Sequence, residues 1–253
     1  IYIDNMKASS CIINDNNLKV AFEVGGLRPE GNKNSYYNGT EQFQNEYKYL
    51  QRWISLGGKI DYITTDHAIM MCLTHLLDKR KPYTEEEAVK LMHELIKEQV
   101  KYFKNIKKMF PDVKLGAIES LGYFNVNGKN REYRHTSPFL PNIDFSHYFD
   151  YLMKTMKEEN LKLDHFHIDF GYTGVKHDGN NNNFDYGRIK TVESYVQSKG
   201  VKAGVIFNAF HDRSQKDIVR MEANKQAYNN TFKFIEGYKK IEGNCNHYVL
   251  QTW

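Results

Sequence analysis

Six short stretches of the chain alternate apolar and polar residues with a period of two. Longer stretches between them repeat apolar residues at helical spacing. The clearest strand pattern is Leu161 to Tyr172, in which His165, His167 and Asp169 fall on one face and Phe166, Ile168 and Phe170 on the other. Leu18 to Gly26 sets Val20, Phe22 and Val24 against Ala21 and Glu23. Lys59 to Ile69 puts Tyr62, Thr64 and Asp66 on one side, with His67 next. Asp112 to Leu121 aligns Leu115, Ala117 and Glu119, Val201 to Phe210 aligns Ile206 and Asn208, and His247 to Trp253 aligns Val249, Gln251 and Trp253.

The helical stretches carry end signals. Thr40 is the expected N-cap of a helix running to about Leu56, and Gly57-Gly58 stop it. Thr84 and Glu87 have the spacing of a capping box, opening a helix to Met109 with Val89, Met92, Ile96, Val100 and Phe103 on one stripe and Pro111 beyond. Further helices are expected over Asp144 to Glu159, Tyr186 to Ser198 and Ser214 to Ile241. The connection from Gly122 to Pro141 is long for a compact domain and carries Tyr123, Phe124, Arg131, Tyr133, Arg134 and His135, so a functional loop is expected there. A second polar loop is Asn-rich, from Gly179 to Asn183.

Strand and helix alternate along the whole chain, which predicts a parallel sheet covered by helices in one α/β domain over residues 1–253. The polar residue recurs at the C-terminal end of every strand. That recurrence favours a TIM-type (β/α)8 barrel, complete or trimmed at its termini, over an open doubly wound sheet. Gly25-Gly26 lacks the spacing of a dinucleotide-binding turn. Six strands are visible where a closed barrel has eight. The opening IYIDNM alternates and is expected to be a strand. It resembles the closing strand of jelly-roll carbohydrate-binding modules. Residues 1–12 then either end a preceding module or close the bottom of this domain.

Composition narrows the classes. The net charge of +4 is mild, with lysines spread along helical segments, so neither a nucleic-acid patch nor a basic membrane surface is expected. No apolar run is long enough to span a bilayer. Three scattered cysteines, Cys11, Cys72 and Cys245, have neither metal-type spacing nor a disulfide framework. With 18 Tyr and 15 Phe the chain is rich in aromatic rings, which suit a core and also suit a sugar face.

Aligning the strand ends brings Glu23, Asp66, Glu119, Asp169, Asn208 and Gln251 to one rim, with Trp253 beyond. Crowded carboxylates shift one another, so one can hold a proton while another stays ionised. Two of them on neighbouring strands can flank a glycosidic bond. Glu119 and Asp169 are the expected catalytic pair. Glu23, Asp66, His67, His167, Asn208, His211, Gln251 and Trp253 are the expected substrate contacts, with Trp253 stacking on a sugar ring. In this respect the chain resembles the glycoside-hydrolase type of (β/α)8 barrel over Leu18 to Trp253. The segment LDHFHID is similar to the "DGxDxDxE" strand of chitinase-like barrels, with Asp164 and Asp169 as the nearest acids. It departs by its spacing and by Phe170-Gly171 where that strand has Glu, and no "NE" strand end occurs. The resemblance implies an oligo- or polysaccharide substrate, a monomer, no resident cofactor or metal, and an extracellular or cell-surface location. Two alternatives stand beside it. One is a metal-dependent barrel isomerase or hydrolase using His67, His167, Asp169, His211, Asp212 and Glu119. The other is a glycan-binding barrel without catalysis.

Overall fold

The structure, a computed structural model, describes residues 2–27, 37–77, 84–127, 143–170, 186–209 and 220–251. In chain order the elements are α1 (Tyr2–Asp15), β1 (Ala21–Val24), α2 (Gly39–Ser55), β2 (Tyr62–Asp66), α3 (Met70–Leu77), α4 (Glu85–Met109), β3 (Lys114–Ser120), α5 (Phe145–Glu158), β4 (His165–Asp169), α6 (Tyr186–Ser198), β5 (Lys202–Asn208), α7 (Arg220–Lys240) and β6 (His247–Gln251). The strands stand in one sheet in chain order, β1-β2-β3-β4-β5-β6. The pairs β1–β2, β2–β3 and β5–β6 are parallel. A doubly wound sheet reverses its order at a switch point, and this one never does. The fold is α/β with the strand order of an incomplete TIM-type barrel, six strands of eight among the described residues.

The chain folds into two compact units. One comprises residues 1–119, 134–143 and 147–165, and the other 120–133, 144–146 and 166–253.

In the first unit, α2 and α4 pack on the helix side of β1–β3. Gly39 allows the close approach, since a Cβ there would lie 1.9 Å from the Glu98 carbonyl oxygen. Glu46 of α2 ties three elements together by accepting from Gly25 N, from Gln42 Nε2 and from the Tyr102 hydroxyl of α4. Phe22 of β1 meets Trp53 edge to face, and the Trp53 indole donates to the Lys59 carbonyl. The capping box of α4 is present, with Thr84 Oγ1 accepting from Glu87 N and Glu87 accepting from Thr84 N.

Three expectations are corrected here. The opening residues form a helix rather than a strand. Met6, Ser10 and Ile13 make its inward stripe at spacings of four and three, and a serine in the middle hides that period from a hydrophobicity reading. Ser10 Oγ lies 3.0 Å from the Leu56 carbonyl, and Asn14 Nδ2 donates to the Gly57 carbonyl, so α1 satisfies carbonyls that the end of α2 leaves open. The N-cap of α2 is Asn38, not Thr40; its Oδ1 accepts from Thr40 N and Glu41 N. Finally, β2 ends at Asp66, and a separate apolar helix, α3, comes next with Met70, Cys72, Leu73 and Leu77 buried.

In the second unit, Phe207 of β5 packs on Phe234 and Tyr238 of α7 and stacks on Tyr248 of β6. Glu193, fully buried on α6, is the knot of this layer. It accepts from the Tyr238 hydroxyl, from Asn244 N and from Lys190 Nζ. Arg188, also buried, donates through Nη2 to the carbonyls of Leu121 and Phe124, holding the short 3-10 turn Leu121–Tyr123 that comes after β3.

Candidate functional site

Glycine makes room for imidazole on the polar side of the sheet in both units. Gly116 of β3 stands level with Thr64 of β2. A Cβ at Gly116 would fall 2.0 Å from His165 Nε2, so the bare backbone lets that ring reach Thr64 Oγ1 at 2.8 Å. In the second unit Gly204 of β5 stands level with His247 of β6, and a Cβ there would fall 2.5 Å from His167 Cδ2. The His167 and His247 rings meet across it, Nε2 to Nδ1, at 3.1 Å. Burial, with His247 beside it, drives the His167 pKa down to about 4, so this ring is neutral at pH 7.

Asp66 and Asp169 end their strands on the side of these rings, and Glu119 stands near the end of β3 on the opposite side. In the first unit, Glu119 at the end of β3 is 1% exposed. Its Oε1 accepts from Ile69 N at 2.9 Å and its Oε2 from Met70 N at 3.4 Å, which caps the N-terminus of α3. Burial pushes its pKa up to about 7; His67 and the two N–H groups pull it down, and Asp66 pushes it up. Asp66 Oδ1 is 2.7 Å from His67 Nδ1. His67 has a left-handed backbone, φ 47°, and its N–H donates to the Ile118 carbonyl. This sharp turn from β2 into α3 is what brings the helix N-terminus onto Glu119. Glu23 is exposed on β1, level with Thr64 and two residues short of Asp66.

In the second unit, three predicted residues share one edge. Asp169 ends β4, Asn208 ends β5 and Gln251 ends β6 in register with Asn208. Asn208 Nδ2 donates to Asp169 Oδ1 at 2.7 Å. Asn208 is 2% exposed, and no group among the described residues donates to its Oδ1. The contact to Asp169 fixes which end of the amide carries the donors, so the other end is an acceptor aimed at something else. Asp169 is half-buried.

The structure thus brings Asp66, His67 and Glu119 together in one unit, and His167, Asp169, Asn208 and Gln251 in the other, with Glu23 set lower. His211, Asp212 and Trp253 lie outside the described residues, as do Arg131, Tyr133, Arg134 and His135 and the Asn-rich loop. Among the described residues no three His, Cys, Asp or Glu side chains are grouped as ligands for one metal ion. No described helix is long and apolar enough to cross a membrane. Sequence reasoning misses Thr64 as the partner of His165, and His247 as that of His167. A signal for His247 exists, a strand-face histidine flanking the small residue Gly204.

No family model and no curated protein matches the chain. Among solved structures, similarity over 99% of this chain is found to the beta-glucosidase from Thermotoga maritima. In complex with glucoimidazole it is 13% identical, with a TM-score of 0.46 and 78% of its chain covered. In complex with methyl acetic acid-substituted glucoimidazole it is 14% identical, with a TM-score of 0.45 and 77% covered.

Proposed function

We propose that this chain hydrolyses glycosidic bonds in an oligo- or polysaccharide, with Asp169 as the carboxylate at the reacting centre. The observation that carries the reading is the Asp169–Asn208 pair. A buried amide oxygen without a donor costs about 1–3 kcal/mol, and a ligand hydroxyl removes that cost. Sugars offer hydroxyls that donate to Asn208 Oδ1 while accepting from Gln251. The charge-assisted bond from Asn208 fixes the Asp169 carboxylate in one orientation, which a reacting carboxylate requires.

Burial lets Glu119 hold a proton near neutral pH, but it stands on the side of β3 away from Gly116 and the His165 ring, where it caps α3. Both of its oxygens accept backbone N–H groups at the start of α3. That burial favours a second reading, a glycan-binding domain in which Glu119 is only a cap.

The test is a panel of polysaccharides screened for binding and for release of reducing ends, using the parent, Asp169→Asn and Glu119→Gln. The hydrolase reading expects the parent to cleave at least one glycan and Asp169→Asn to bind it without cleaving. A parent that binds but never cleaves leaves only the binding domain, and one that binds nothing in the panel removes both readings. Hydrolysis that survives exhaustive chelation removes the metal-dependent alternative.

A further inference from the structure

We propose that His93 of α4 and His147 of α5 form a two-histidine site for a borderline divalent transition-metal ion, with Zn2+ as the type, on the outer helical face of the first unit. The two Nε2 atoms face each other at 3.2 Å. Two imidazoles on one tetrahedral Zn2+, each with Zn–N of about 2.0–2.1 Å, hold their nitrogens about 3.3 Å apart, so the pair already has the bite of a chelate. The His93 ring is fixed, lying flat on Tyr151 with centroids 3.6 Å apart and planes 9° apart. His147 is exposed and leaves the remaining coordination positions open to water.

A shared proton between two neutral rings occupies the same distance, and a metal ion replaces that proton. The charged groups around the pair are Lys97, Lys154 and Glu94. Lys97 is paired with Glu94 at 2.9 Å and Lys154 lies 3.9 Å from Glu158, so carboxylates offset both ammonium charges. The site joins two helices far apart in sequence, and a bound ion would clip α4 to α5 about three helical turns from the Lys104–Glu159 ion pair. Two protein ligands make a labile site with fast exchange.

The experiment is titration of Zn2+ alone into the chelator-stripped full chain at pH 7.5, for the parent, His93→Gln, His147→Gln and, as a control at an exposed histidine of α3, His75→Gln, with thermal unfolding recorded at each addition. The expected result is one equivalent bound by the parent and by His75→Gln, with affinity falling about tenfold or more in the other two. Zn2+ should raise the unfolding temperature only where both histidines are present. The proposal is overturned if the parent takes up no Zn2+ at millimolar concentration, or if His147→Gln binds as well as the parent. His147 is exposed, so its variant keeps the test clear of misfolding. The outcome is independent of glycan hydrolysis, since neither histidine belongs to the strand-end site.

Discussion

The ends of β3 and β4 each carry a carboxylate, and the protein holds the two in opposite ways. Glu119 is sealed from solvent, takes backbone N–H groups on both oxygens, and has its pKa pushed to about 7 by burial. Asp169 is half-buried and receives a side-chain amide on one oxygen. The first arrangement spends the carboxylate on a helix N-terminus. The second ties the Asp169 carboxylate to the amide of the next strand, beside an Asn208 side-chain oxygen that no described group donates to. Glu119 shares its side of β3 with Leu115 and Ala117, away from Gly116 and the His165 ring, whereas Asp169 stands on the His165–His167 side of β4, so strand alternation gives each carboxylate different neighbours. A left-handed turn at His67 delivers a helix onto Glu119, whereas Asp169 meets the amide of the next strand.

The comparison can be broken most sharply at Asp169. Asp169→Asn is expected to lower hydrolysis by about a thousandfold or more while moving the unfolding midpoint by less than about 1 kcal/mol. A variant with near-parent turnover removes Asp169 from the chemistry. At Glu119 the weight falls on stability instead. Glu119→Ala strands two N–H groups and opens a cavity, and should cost about 3 kcal/mol in denaturant unfolding. A cost below about 1 kcal/mol would contradict its role as a buried cap.

Proton linkage sharpens the contrast. The Glu119 carboxyl, with an ordinary value of 4.5, reaches about 7 in the folded chain, so the folded state binds its proton more tightly. Its effect on stability is most favourable below pH 4.5 and declines as pH rises to 7, by on the order of 3 kcal/mol. His167 has the opposite sign. Its value falls from 6.5 to about 4, so stability declines as pH drops from 6.5 to 4. Across the shared window the two slopes oppose each other. Stability of Glu119→Gln should therefore rise with pH, and that of His167→Gln should fall with pH, relative to a flatter parent. Equal slopes in all three would refute both assignments. The smallest effect belongs to Asn208→Ala, which should reduce hydrolysis about ten- to a hundredfold by releasing Asp169, and a change within twofold would rule out Asn208 as its orienting partner.

Much of this fold is legible in the amino-acid order alone. Period-two alternation locates the six strands among the described residues, and the Thr84–Glu87 spacing locates the α4 cap to the residue. Asp169, Asn208 and Gln251 stand out because each ends a strand on its polar face. The features that escape depend on neighbours distant in sequence. Helix α1 is hidden because a serine occupies the centre of its buried stripe, where it bonds to the end of α2. Helix α3 is hidden because its N-terminal signal is a carboxylate about fifty positions later, not a local cap. For the same reason Glu119 reads as an open strand-end acid in the sequence and as a buried one in the structure. The His167–His247 contact needs the register of two strands, and only the glycine between them hints at it.

The most direct measurement takes Asp169→Asn and Glu119→Gln side by side, recording glycan hydrolysis and denaturant midpoint on the same preparations. The account predicts that the Asp169 variant loses turnover and keeps its midpoint, while the Glu119 variant shifts its midpoint far more than the Asp169 variant does. An Asp169 variant that unfolds early with its turnover intact would contradict it.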